Sequence, residues 1–273
     1  RSVARDAAGN TETDYTQQGD TSTVVARYLL DGNVYDHRGR PVPGAAAVSQ
    51  PAALNQAFAD AGGHYTLGLM DAGTYDVSVS HAGYGSLPPR YGVVGNGDLQ
   101  GVDFYLPPDP NLIQNGNFEA DGGWQFDGIV SPDRVEGVGY TGDYALEMGV
   151  LLTGLANSTT SEPLIWSASQ EVSVPASSQA TLDWVYLVSG IEGSGDSLAV
   201  TIEGPSSAIT HTLSLDAETW THEWVEVSDF AGKQVVVRFV LSRESPGDPL
   251  HIWLDDVSEG AVPYRVYLPG VTP

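Results

Sequence analysis

The 273-residue chain has no cysteine, a single lysine (Lys233), two methionines and no apolar run near the roughly 18 residues that a membrane span needs. Without cysteine there is no disulfide, no thiol nucleophile and no cysteine-ligated metal. Export remains open, because a chain of this length can build stable cores without cross-links. Eleven basic residues stand against 35 acidic ones, a formal charge of −24. That balance removes the cationic face required by nucleic acid or anionic lipid, and cations become the counter-charge the surface invites. The same excess of Asp and Glu keeps a secreted surface soluble. No starting methionine or signal peptide is present, so the sequence reads as a processed or excised product.

Catalytic signatures are missing too. There is no HExxH, GxSxG, P-loop or GxGxxG motif, and the six histidines (His37, His64, His81, His211, His222, His251) show no metal-ligand spacing. Long stretches of 3.6-residue periodicity are also absent. What the chain has instead is 32 glycines, 17 prolines and short Val/Thr/Tyr-rich runs, the pattern of many strands joined by tight turns. The reading is all-β, non-enzymatic and long enough for two domains.

Residues 1–23 are polar, with too few apolar side chains for a core, and read as an extended N-terminal arm. Its Asp6-Ala7-Ala8-Gly9-Asn10 resembles the end of a bacterial immunoglobulin-like repeat. From 24 to 106 turns and alternation come regularly. Asp36 to Gly44 and Asp60 to Gly63 are turns, Tyr75, Val77 and Val79 share one face, and Val102, Phe104 and Leu106 form a closing strand. About seven such strands make a small sandwich. Pro107-Pro108-Asp109-Pro110 is a stiff linker. From 111 to 261 strands recur at Val172/Val174, Leu182/Trp184/Tyr186, Leu198/Val200/Ile202, Val235/Val237/Phe239 and Ile252–Val257, separated by long loops, as in a jelly roll. Residues 262–273 form a proline-broken tail without the order of a sortase signal.

Gly32–Val34, Gly39–Ala45, Gly63–Leu67, Ala72–Tyr75, Gly83-Tyr84 and Phe104–Leu106 together resemble the carboxypeptidase regulatory-like domain. This resemblance implies a transthyretin-like sandwich that acts as a spacer without an active site. The second unit carries Asn111-Leu112-Ile113, Asn115–Glu119, Tyr140–Leu146, Gln170–Pro175, Phe230–Lys233 and Trp253–Val257. In order and spacing these resemble carbohydrate-binding modules with a galactose-binding-like jelly roll.

That second resemblance implies a structural Ca²⁺, with Glu119 and one of Asp255 and Asp256 as ligands. Hard oxygen donors from adjacent strands are what Ca²⁺ takes. Neighbouring residues on a strand face opposite ways, so one of the two aspartates is expected to ligate and the other to meet water. Sugar stacking calls for exposed aromatics, and Trp124, Tyr140 and Trp166 lie near predicted loops. Trp184 is in step with Leu182 and Tyr186 and reads as core, while Trp220 and Trp224 read as packing along one strand. Asn157-Ser158-Thr159 fits a glycosylation acceptor.

Two functions follow as expectations, both at a bacterial-type cell surface or in the extracellular space. The first is a structural or adhesive protein, a filament subunit self-associating by adding its N-terminal strand to a neighbour's sheet edge. The alternative is a calcium-stabilised accessory region of a larger secreted enzyme that binds a glycan. A surface protein is a further partner, and no nucleic acid or membrane span is expected.

Overall fold

The computed structural model describes residues 26–128, 130–149, 163–177, 179–244 and 249–261. The chain is nearly all β, as its composition indicates. Residues 1–23, the glycosylation motif at 157–159 and the tail at 262–273 lie outside the described residues.

The first unit has seven strands: β1 (Tyr28–Asp36), β2 (Ala46–Gln50), β3 (Ala57–Phe58), β4 (His64–Leu69), β5 (Gly73–Ser80), β6 (Arg90–Val94) and β7 (Phe104–Leu106). They form two sheets, β4-β1-β7 and β3-β2-β5-β6. Period-2 alternation brings Leu30, Val34, Tyr65, Leu67, Val77 and Phe104 into the space between them, each at most 1 % exposed. The Tyr65 hydroxyl, carried into that core, donates to the Val102 carbonyl at 2.6 Å. The Asp36 carboxylate closes the turn after β1 by accepting from the Arg38 and Arg40 amides.

The second unit has ten strands: β8 (Gln125–Gly128), β9 (Asp133–Glu136), β10 (Tyr144–Met148), β11 (Leu164–Ser173), β12 (Ala180–Gly190), β13 (Ser197–Glu203), β14 (Ala208–Leu213), β15 (Thr221–Glu226), β16 (Gln234–Arg243) and β17 (Leu250–Ala261). Two five-stranded sheets result, β15-β12-β17-β10-β9 and β14-β13-β16-β11-β8. Trp166, Trp184, Tyr186 and Phe239 fill the space between them, each at most 1 % exposed. Burying a side chain of this size contributes about 1.5–3 kcal/mol. The buried apolar residues form two separate clusters, one running from Leu30 to Leu106 and the other from Ile113 to Val257. The proline-rich 107–110 segment falls between them.

The opening of the second unit is not a regular strand. Residues 111–124 form turns and bends. They are tied to β17 by the Leu112 amide on the Glu259 carbonyl and the Val257 amide on the Gly116 carbonyl. Glu119 therefore projects from a turn segment. Gly116 is required there, because a Cβ would run into the Val257 carbonyl.

The first unit covers part of the outer face of the β15-β12-β17-β10-β9 sheet. Val185 on β12 and Ala145 on β10 belong to neither core cluster and are nevertheless 1 % and 0 % exposed. Over them the Tyr105 ring stacks on His222 at 3.9 Å. His37 hydrogen-bonds Thr181, and the Arg38 guanidinium donates to the Gln179 carbonyl. His37 is fully buried, and loss of hydration pushes its pKa below the ordinary imidazole value.

Candidate functional site

Two places on β17, two residues apart, carry the chemistry. At the covered end lie Asp255 and Asp256. The Asp255 carboxylate accepts from the amides of Tyr140 (2.7 Å), Thr141 (3.2 Å) and Asp256 (2.7 Å). The Thr141 hydroxyl donates to Asp256 Oδ1 at 2.7 Å, and Asp256 Oδ2 is buried with no hydrogen-bond partner among the described residues. Glu119 Oε1 accepts from the amides of Asp143 and Tyr144 at 2.9 and 2.8 Å. The loop 139–144 is thus held by three carboxylates at once. Gly142 has φ +66°, and a Cβ there would overlap the Glu119 carboxylate, so only glycine lets the loop close over it.

Both aspartates are withdrawn from water, Asp255 at 0 % and Asp256 at 6 % exposure, which corrects the expectation that one would face solvent. Strict alternation fails because the β12–β17 register slips opposite Asp183 to Val185 and Asp256 turns to φ +46°. Burial, and for Asp255 the charge of its neighbour, pushes Asp255 well above the usual carboxylate range. Burial raises Asp256 to about 7.

A buried carboxylate oxygen without a partner costs free energy that a metal ion would recover. Asp256 also lines a polar cavity of about 160 Å³ with Asn115, Gly116, Asn117 and Ser258, closed from the other side by Ser86 and Leu87 of the first unit and Pro107 of the linker. Among the described residues no three His, Asp or Glu side chains converge on one point, so backbone carbonyls would have to complete any coordination shell.

The three aromatics expected on a sugar-binding rim are elsewhere. Trp166 is 1 % exposed in the core. Trp124 is 8 % exposed, packs at 5.6 Å on Phe118 and donates its indole N–H to the Asn115 carbonyl. Tyr140, 6 % exposed, is held against the first unit, its hydroxyl donating to the Asp103 carbonyl with the Arg90 guanidinium 3.9 Å over its ring. Rings this far from water cannot lie against a sugar face. Trp224 also differs from expectation: it is 41 % exposed, with the Arg38 guanidinium 5.7 Å over its ring.

Trp253, half-buried at the uncovered end of β17, also faces outward. Ile252 and Leu254 alternate into the core, which aims Trp253 the other way, a signal present in the sequence. It pairs with Leu187 on one side and Glu147 on the other. The His251 ring stacks on it at 5.5 Å and 12°, and His251 Nδ1 lies 2.9 Å from Glu147 Oε1. Trp253, Leu187 and Ser189 floor a groove of about 380 Å³ walled by Glu192, Asp216 and Glu218. An indole face flanked by hydrogen-bond acceptors suits a ligand with one apolar C–H face and hydroxyls at its rim.

Residues 30–107 match the family model of the carboxypeptidase regulatory-like domain. No curated protein matches the sequence. Solved structures similar to the chain include TmCBM61 in complex with beta-1,4-galactotriose, at 14 % identity, TM-score 0.42, and coverage of 55 % of this chain and 98 % of that one. A family 16 carbohydrate-binding module is similar at 17 % identity, TM-score 0.37, and coverage of 55 % and 99 %. A family 11 carbohydrate-binding module from Clostridium thermocellum, in complex with a mixed-linked tetrasaccharide, is similar at 9 % identity, TM-score 0.35, and coverage of 56 % and 97 %.

Proposed function

We propose that this chain, whose residues 30–107 match the family model of the carboxypeptidase regulatory-like domain, is a non-catalytic region of an exported protein that binds a glycan through the Trp253 groove. The observation that carries this reading is the half-exposed indole set on a sheet face among Ser189, Glu192, Asp216 and Glu218. Stacking on a pyranose supplies the apolar contact, and the carboxylates accept its hydroxyls. The first unit acts as a spacer that fixes the second.

Calcium belongs to the same proposal. Glu119 and Asp256 would hold the ion, which would supply positive charge to a buried oxygen that lacks a partner among the described residues. Its role is structural, and it takes no part in sugar contact.

The test is a glycan array probed with the intact chain and with Trp253→Ala. Binding by the parent and its loss in the variant is expected. An array signal that survives the substitution would remove the groove from the account.

Self-association is a second reading, favoured by the exposed edge of the first unit. β6 ends the β3-β2-β5-β6 sheet, and its Tyr91 and Val93 are 48 % and 67 % exposed. Residues 1–23 would be the added strand. Polymers in negative stain that vanish when residues 1–23 are deleted would support it, and monomers in both preparations would end it.

A further inference from the structure

The loop held by the three carboxylates is also the surface on which the first unit docks. The Gly142 amide donates to the Pro89 carbonyl at 2.7 Å. Next along the loop, the Tyr140 hydroxyl reaches the Asp103 carbonyl at 2.8 Å while its ring lies under the Arg90 guanidinium. Arg90 in turn donates to that same Asp103 carbonyl, which fixes its position. On the inner side, the amides of Tyr140, Thr141, Asp143 and Tyr144 all point into Asp255 or Glu119. Between Tyr140 and Tyr144 the loop therefore meets the acid cluster on one side and, through Tyr140 and Gly142, Pro89, Arg90 and Asp103 of the first unit on the other.

We propose that a divalent cation at the Glu119–Asp256 site clamps the joint between the two units, by fixing the 139–144 loop against which Pro89, Arg90 and Asp103 pack. The inference rests on the calcium reading above and extends it from local stability to the relative placement of two domains. Asp256 itself sits at the joint, since the cavity it lines is walled by Ser86 and Leu87 of the first unit and by Pro107 of the linker as well as by the second unit. Without the ion, Asp256 Oδ2 stays buried and unpaired, and the loop relieves that cost by opening toward water. Opening moves Tyr140 and Gly142 away from their partners on the first unit. Coupling of this kind is reciprocal, so loosening the joint must weaken the ion by the same factor.

The chain has no cysteine, so two introduced ones can be spin-labelled uniquely. Thr74 and Glu171 are exposed and lie on different units. In the full chain carrying Thr74→Cys and Glu171→Cys, electron–electron distance measurements in calcium chloride should give one narrow distribution, and excess chelator should broaden it. Adding Asp256→Asn should abolish the heat of calcium binding and leave the distribution broad throughout. Arg90→Ala, which takes away no hydrogen bond from the cluster's carboxylates although its charge acts on Asp256, should broaden the distribution in calcium. It serves also if Asp256→Asn fails to fold. Calcium binding with a distribution that stays narrow in chelator would leave the metal site standing and overturn the clamp. So would an Arg90→Ala chain with parental distances in calcium. No calcium heat in the parent chain would overturn both, without touching the groove.

Discussion

On β17, Trp253 and Asp255 are two residues apart, about 7 Å along the strand, and both point away from the core. Trp253 meets water, whereas Asp255 is wholly buried beneath the first unit. The difference is made by what lies over the sheet. Where Tyr105, Tyr140 and Arg90 cover the face, polar side chains are turned to structural work, accepting backbone amides and tying a loop to the other domain. Beyond that cover the same face is available to a ligand. A sheet surface becomes a site or a joint according to its neighbour, and the strand's own alternation does not distinguish the two.

The covered end should dominate stability, and its largest effect should be a dependence on pH. Glu259, 1 % exposed on β17, has two carboxylate oxygens without partners among the described residues, and burial pushes it up to about 8. Its unfolded value is 4.5, so between roughly pH 4.5 and 8 the folded chain keeps a proton that the unfolded chain has released. Stability should therefore fall as pH rises through that window and level off above it. Glu259→Gln should gain on the order of 4 kcal/mol over the parent at pH 9 and almost nothing at pH 4, measured by urea unfolding. Parallel pH curves for the two proteins would contradict this.

Asp255→Ala should come next, at about 3 kcal/mol, since it strands three amides that the carboxylate now accepts. Tyr140→Phe removes one hydroxyl bonded across the joint and should cost about 1 kcal/mol, with both units remaining folded by circular dichroism. Trp253→Ala should be the smallest on this scale, below about 1 kcal/mol by thermal unfolding, because the ring is outside both cores. Should Trp253→Ala unfold the domain as readily as Asp255→Ala, the contrast between the two ends of β17 would be lost.

Much of the fold was legible in the sequence. Leu182, Trp184 and Tyr186 alternate into the core as their spacing says, and the turn residues from Asp36 to Gly44 mark the first unit. The joint was not legible, because it pairs residues 89–105 with 139–144 through contacts no local pattern encodes. For the same reason Tyr140 looked like a loop aromatic facing water. The paired burial of Asp255 and Asp256 depends on the slip opposite Asp183 to Val185 and on a left-handed backbone at an aspartate, neither of which period-2 reasoning anticipates. Trp253 could have been found, since it is out of step with Ile252 and Leu254.

Each of the six tryptophans carries one indole N–H, so their resonances separate the two ends directly. In an ¹⁵N-labelled chain titrated with a neutral oligosaccharide chosen from the array, the account expects one indole signal to move, the one absent from Trp253→Phe, while calcium shifts the amides of Tyr140 to Tyr144. Movement of the Trp124 or Trp166 signal with the Trp253 signal at rest would contradict it.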